Sequence, residues 1–359
     1  LKMAEKLEKM GIHFLAIKDM AGLCKPKAAK ILFKELKKNI KIPIHFHTHD
    51  TSGNGVATLL NASDAGVDIV DVAIDSWSGF TSQPSFGAMV ESLDGNSRDP
   101  KISSAVVRTA ANYWEGVRKQ YQPFESKVRT SMSEVYLHQM PGGQYTNLRE
   151  QARSMGITDE RWPELASMYA EVNKIFGDVI KVTPISKVVG DMAIYMLANN
   201  IQIEDVLNPK KDVGFPASVI EFFSGRLGQP YKGFPKALQK KILKGKKPIN
   251  YRFGSKLKSL NIKNRTKDLE QKYSDAISEK DTLSQIFFPE VFDEYMKHRQ
   301  KYGNTSVIPT SNYFFGMNTG EEIYVSIEPG KTLIIRYFTL SEPNEKGYRT
   351  VYFELNGQP

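Results

Sequence analysis

The sequence has 359 residues, 40% hydrophobic and 25% charged, a soluble globular composition with enough length for a buried core and about two domains. One cysteine, Cys24, excludes an intrachain disulfide and fits a reducing compartment, and no apolar run approaches the roughly 20 residues of a membrane span. The net charge of +9 is concentrated in PKALQKKILKGKKP (235–248) and FGSKLKSLNIKNRTK (253–267), neither of which interleaves aromatics for base stacking. These stretches read as solvated helix faces rather than a nucleic-acid patch, with attraction of anionic metabolites left open.

Taken in chain order, the first 80 residues alternate helix and strand. KMAEKLEKM is a helix capped by Gly11, and IHFLAIKD (12–19) is a short apolar strand. Pro26 opens a second helix, with apolar positions expected at 28, 31, 32 and 36. IPIHFHTHD is the next strand, NGVATLLNASDA the next helix, and VDIVDVAID (67–75) the third strand. Strands about every 28 residues are the period of parallel β/α units, in a barrel or a doubly wound sheet. In the third strand Val70, Val72 and Ile74 would face the helices, leaving Asp71, Ala73 and Asp75 on the other side. Two carboxylates need a polar mouth rather than a dry sheet face, which favours a barrel.

From about residue 100 to 245 the pattern is helical throughout. The segment 250–307 reads as a linker and one helix, and SNYFFGM, EIYVSIE, KTLIIRYFTL and RTVYFELNG read as strands of a small β domain. EPGKTL (328–333) has Val325 where a phosphate loop needs glycine, so it is a turn between strands. The expected fold class is α/β: the C-terminal part of a (β/α)8 TIM barrel (1–95), a long helical extension (96–250), the linker and helix (251–307), and a β-rich domain (308–359). Both ends look cut. About five β/α units are expected upstream, the chain opens on Leu1 rather than Met, and the Asn-Gly turn of LNGQP lacks its second strand.

Three of the six histidines fall at alternate positions, His45, His47 and His49, so they share one strand face. Two imidazoles near the C-terminal end of a barrel strand can reach one ion, and a hydrogen-bonded packing role is the alternative. The deeper His45 is expected to be structural. Lys18 ends the first strand, where a buried ammonium needs a salt bridge to Asp19 or Asp71, a Schiff base, or conversion into a carbamate that would itself ligate a metal. In KVTPISKVVGD (181–191), Pro184 biases Thr183 towards an extended conformation and Ser186 is placed to cap the following helix. With Lys187, that terminus is either an ordinary cap or a site for an anion or ureido oxygen.

The strings IKDMAG, HTHDTSGNG, DVAIDSWSGFTSQPS, MPGGQYTNL and KVTPISKVVGDM, in this order, resemble pyruvate carboxylases over essentially the whole chain. The resemblance implies the later part of a carboxyltransferase domain followed by part of an allosteric and tetramerisation domain. It implies a divalent metal, zinc or manganese, held by a carboxylated Lys18 with His47 and His49, a proton-shuttling Thr183, and contacts from Ser186 and Lys187 to biotin. The implied reaction moves a carboxyl group from carboxybiotin to pyruvate, giving oxaloacetate.

ATP, bicarbonate and the biotin carrier would act through parts absent from this chain, as would a fourth, aspartate ligand and a pyruvate-binding arginine. Trp77, Phe80 and Phe86 stand where the family more often has methionine. A homotetramer, an acyl-CoA effector, and a cytoplasmic or mitochondrial-matrix location are further implications, without nucleic acid or membrane. The alternatives are a carboxyltransferase subunit of a biotin-dependent decarboxylase or transcarboxylase, a metal-dependent lyase, or an inactive oligomerising scaffold.

Overall fold

The structure, a computed structural model, describes residues 1–126, 128 and 130–359. It divides into two compact units, Leu1–Leu257 and Lys258–Pro359. The first opens with α1 (Lys2–Lys9), β1 (Leu15–Asp19), α2 (Pro26–Asn39), β2 (Ile44–Thr48), α3 (Gly55–Asp64), β3 (Ile69–Val70) and α4 (Phe86–Leu93). The three strands are parallel in the order β1-β2-β3, with Lys18 opposite His47 and Phe46 opposite Val70.

Period-two alternation in β2 buries Ile44, Phe46 and Thr48 on one face. There Phe46 meets Phe33 of α2 with ring centroids 4.7 Å apart, among Ala29, Leu36, Leu59 and Ala62. Each large side chain so buried contributes about 1.5–3 kcal/mol. Of the expected 28/31/32/36 stripe of α2 Leu36 is buried, but it is joined by Ala29 and Phe33, and Ala28, Ile31 and Leu32 are exposed. This helix is apolar over more than half its circumference, so the sheet beneath it chooses the face. The third strand is also shorter than expected. Its regular part ends at Val70, and Asp75 lies in a 3-10 turn, where its Oδ1 accepts from Ser85 Oγ (2.8 Å) and Gly87 N (2.7 Å).

A helical layer follows: α5 (Ser104–Arg118), α6 (Val135–His138), α7 (Gly142–Ser154), α8 (Trp162–Ile175), α9 (Ile185–Ala198), α10 (Ile203–Leu207), α11 (Ala217–Phe223) and α12 (Lys236–Leu243). α9 is apolar on nearly every side and is the buried centre, with Val188, Val189, Met192, Ala193 and Met196 at 0–1% exposure. It crosses α7 closely at Gly190, where a Cβ would lie 2.8 Å from Leu148 Cδ1. The basic 235–248 stretch buries Leu238, Ile242 and Leu243 through α12, and most of its lysines stay on the solvated side.

The second unit holds α13 (Ile262–Tyr273), α14 (Glu279–Phe287), α15 (Pro289–Tyr302), α16 (Thr310–Phe315) and the antiparallel sheet β4 (Glu322–Glu328), β5 (Lys331–Leu340), β6 (Val351–Leu355). The stretch expected to be a linker and one helix thus carries three helices, packed through Leu269, Tyr273, Ile277, Phe292 and Met296. SNYFFGM is a helix, not a strand, because Pro309 sits at its N-cap and Gly316 (φ 74°) stops it. The Glu328–Lys331 pair confirms EPGKTL as a hairpin turn.

Candidate functional site

The polar mouth of the sheet is built on β1 and β2. Because Ile44, Phe46 and Thr48 turn into the core, His45 and His47 emerge half-buried on the opposite face, with His49 just past the strand end. His45 Nε2 and His47 Nδ1 each lie 2.7 Å from a separate oxygen of Asp71. Burial opposes ionisation of Asp71, but the hydrogen bonds from His45 and His47 outweigh it and hold the carboxyl below its usual range. An ionised carboxylate only accepts, so His47 donates from Nδ1 and Nε2 is left as its nitrogen for a ligand.

His49 reaches the same state by another route. Its Nδ1 lies 2.6 Å from the Thr81 carbonyl oxygen, which also only accepts. Burial lowers the His49 pKa despite the opposing Thr81 hydrogen bond, and the neighbouring His47 and Lys18 lower it further. The neutral ring therefore also presents Nε2. The two Nε2 atoms face each other at 3.4 Å. A tetrahedral ion with bonds of 2.0–2.1 Å separates two nitrogen ligands by about 3.3–3.4 Å, so this donor pair fits a divalent cation.

Lys18 stands in register with His47 and therefore on the same face. It is exposed, and no ion pair reaches it among the described residues. The expected salt bridge to Asp19 or Asp71 is absent for clear reasons. Asp71 is taken by two imidazoles, and Asp19, one residue on, points to the other side. There it accepts from Leu23 N, Cys24 N and Thr48 Oγ1 at 2.8–2.9 Å. No three His, Cys, Asp or Glu side chains among the described residues are grouped to hold an ion. An ammonium is no ligand, so Lys18 would join the two histidines only with an added carboxylate.

The second group lies on the same unit. Thr183 is exposed in the turn entering α9, Ser186 is buried at 3%, and Lys187 Nζ is 2.7 Å from Asp191 Oδ2. Ser186 is not the helix cap expected of it: Pro184 holds that position, and Ser186 is drawn into the core with the first turn. No hydrogen bond among the described residues joins Thr183, Ser186 or Lys187 to Lys18, His47 or His49. What runs between the groups is the 138–142 turn. Lys181 Nζ donates to Gln139 Oε1 at 3.2 Å, and Gly142 N donates to the Met20 carbonyl at 2.9 Å. Thr81 and Gly142 carried no chemical signal of their own. The Pro-Gly-Gly run at 141–143 was the one clue that the backbone comes close to something there.

Residues 135–336 match the conserved carboxylase domain, and residues 1–93 match the HMGL-like family. The chain is 48% identical to pyruvate carboxylase of Bacillus subtilis over 357 residues, 99% of this chain and 31% of that protein. It is 42% identical to mitochondrial pyruvate carboxylase of Rattus norvegicus, over 99% of this chain and 30% of that protein. The carboxyl transferase domain of Rhizobium etli pyruvate carboxylase, solved with pyruvate and biocytin, superposes with a TM-score of 0.93 at 50% identity, covering all of this chain and 60% of that one. The fold and these matches define a carboxylase domain with a TIM-barrel portion. The chain belongs to the conserved carboxylase domain family, and along its whole length it is similar to pyruvate carboxylases and to the carboxyl transferase domain of one of them. It spans about a third of the length of the curated relatives it matches. Among the described residues no helix is long and apolar enough to cross a membrane.

Proposed function

We propose that this chain carries the metal-holding and proton-shuttling part of a biotin-dependent pyruvate carboxyltransferase site, transferring a carboxyl group to pyruvate to give oxaloacetate. The carrying observation is the pair of Nε2 atoms 3.4 Å apart, each turned to the other by an acceptor on its own Nδ1, beside an unpaired Lys18 in register. His47, His49 and a carboxylated Lys18 would hold the divalent cation, zinc or manganese, which supplies Lewis-acid polarisation of a keto acid when bound.

Asp71 and Thr81 keep both rings in the ligating tautomer. Thr183 presents an exposed hydroxyl at a turn, where it can take a proton from one reactant and return it to another. Lys187, at the start of α9, holds a positive charge beside that turn for a ureido oxygen, with Asp191 fixing its reach. Ser186, with its side chain buried, contributes through the shape of the first turn unless the helix entry opens. ATP-driven carboxylation of biotin, the carrier domain, a tetrameric assembly and an acyl-CoA effector complete this reading.

The test is metal analysis and oxaloacetate formation with the intact protein. About one divalent ion per chain is expected, with loss of both the ion and turnover in the His47→Ala/His49→Ala variant. A protein that turns over with no bound ion would sink the proposal.

A further inference from the structure

The geometry points to Gly142 as a positioning residue for His49, an inference that rests on the metal-holding reading above. α7 begins at Gly142, and its first amide, which no helical carbonyl can satisfy, donates to Met20 O at 2.9 Å, two residues past Lys18. On its other side the Cα lies against the site. A Cβ there would fall 2.7 Å from His49 Nδ1 and 2.6 Å from Thr81 O. Those two atoms are the partners of the 2.6 Å hydrogen bond that sets the His49 tautomer.

One of them is backbone, and the other belongs to a ring already facing His47, so neither can swing away as the end of a flexible chain would. Gly142 is outside the left-handed region, so a methyl group acts here through space and not through backbone strain. Gly143, the next residue of the same first turn, has nothing within 4 Å of its Cβ position and is also outside that region. The sequence thus holds a crowded glycine and its own matched control side by side.

The turn that delivers Gly142 has a second anchor in the helical layer. Met140 N donates to His138 Nδ1 at 3.0 Å, and the buried His138 ring stacks on Tyr145 with centroids 5.5 Å apart. The helical layer thus walls in the ring that the Thr81 carbonyl orients.

The experiment compares Gly142→Ala, Gly143→Ala and His138→Leu with wild type in the intact protein. It measures Zn²⁺ affinity by chelator competition, the visible absorption of the Co²⁺-substituted site, and thermal unfolding of the metal-free protein. Gly142→Ala is expected to weaken Zn²⁺ by about 10–100-fold and to change the Co²⁺ spectrum, while Gly143→Ala matches wild type in both. His138→Leu frees the Met140 amide without adding bulk at the histidines, and is expected to shift affinity in the same direction by a smaller factor.

Wild-type affinity and spectrum in a folded Gly142→Ala protein overturn the assignment and leave the metal site standing. If Gly142→Ala does not fold, unchanged affinity in His138→Leu overturns it. A wild type that binds neither ion overturns the metal reading itself.

Discussion

The mouth of the parallel sheet and the entry to α9 are two halves of one proposed site, and they are built on opposite plans. At the mouth the acceptors are committed and the lysine alone is left open: Asp71 holds two imidazoles, Asp19 a loop and Thr48, and Thr81 holds His49, while Lys18 stays unpaired among the described residues. At the α9 entry Thr183 is exposed and Lys187 is held by a single exposed ion pair. A metal-holding set gains from fixed rings, whereas a proton shuttle has to move between reactants. The contrast teaches that order is concentrated where geometry selects the ligand, and is withheld where chemistry needs reach.

Predictions follow from trying to break that contrast. Thr183→Ala should lower carboxyl transfer by about 10²–10⁴-fold, with stability changed by no more than about 0.5 kcal/mol and metal content unaltered. Metal loss in that variant would show that the two halves are not separate. Between them lies His138, whose pKa burial lowers from 6.5 to about 4. Its folded form resists protonation, so its contribution is whole above pH 6.5 and is lost as the pH falls towards 4, a drop of roughly 3 kcal/mol. Denaturation curves across that window, wild type against His138→Leu, check it.

Cys24 belongs to the committed half. Burial, then the nearby Asp19 carboxylate, push its thiol up to about 11. Alkylation at pH 8 should run about 100-fold slower than for a free cysteine, a rate that thiol titration reads directly. Asp71→Asn leaves one imidazole facing an amide donor and should weaken metal binding by about 10–100-fold in chelator competition. Smallest of all, Lys187→Ala removes an ion pair whose lysine is 61% exposed and should cost less than about 1 kcal/mol of stability in denaturant titration.

The histidine face was legible because strand parity admits one answer once Ile44 and Phe46 are core. The α2 face was not, since a helix carrying Ala28, Ala29, Ile31, Leu32, Phe33 and Leu36 offers two stripes and only the sheet decides between them. For Lys18 a salt bridge to a neighbouring acid was one of three readings, beside a Schiff base and a carbamate. The sequence shows Asp19 and Asp71 near it but not that their oxygens are already occupied. The three helices of 262–302 were hidden by composition. They are highly polar and their cluster holds five buried hydrophobic side chains, too sparse a stripe to stand out. Gly142 was visible as a letter, but a letter does not say what lies 2.7 Å from its missing Cβ.

The pairing of β1 with β2 has one more consequence. Lys18 sits beside His47 because Leu15 pairs with Ile44, and Leu15, Ile44 and Phe46 are all sealed in the core. Slipping one strand by a single residue would put Ile17 or Asp19 in that place and turn every side chain of the strand over. The Glu8 carboxylate accepting from Lys41 and Ile42 amides, and the Asp68 carboxylate accepting from Ile44 N, pin the strand at its start. Residues far from the mouth thus act as a ratchet pawl for it, holding the amine and the imidazole on the same tooth.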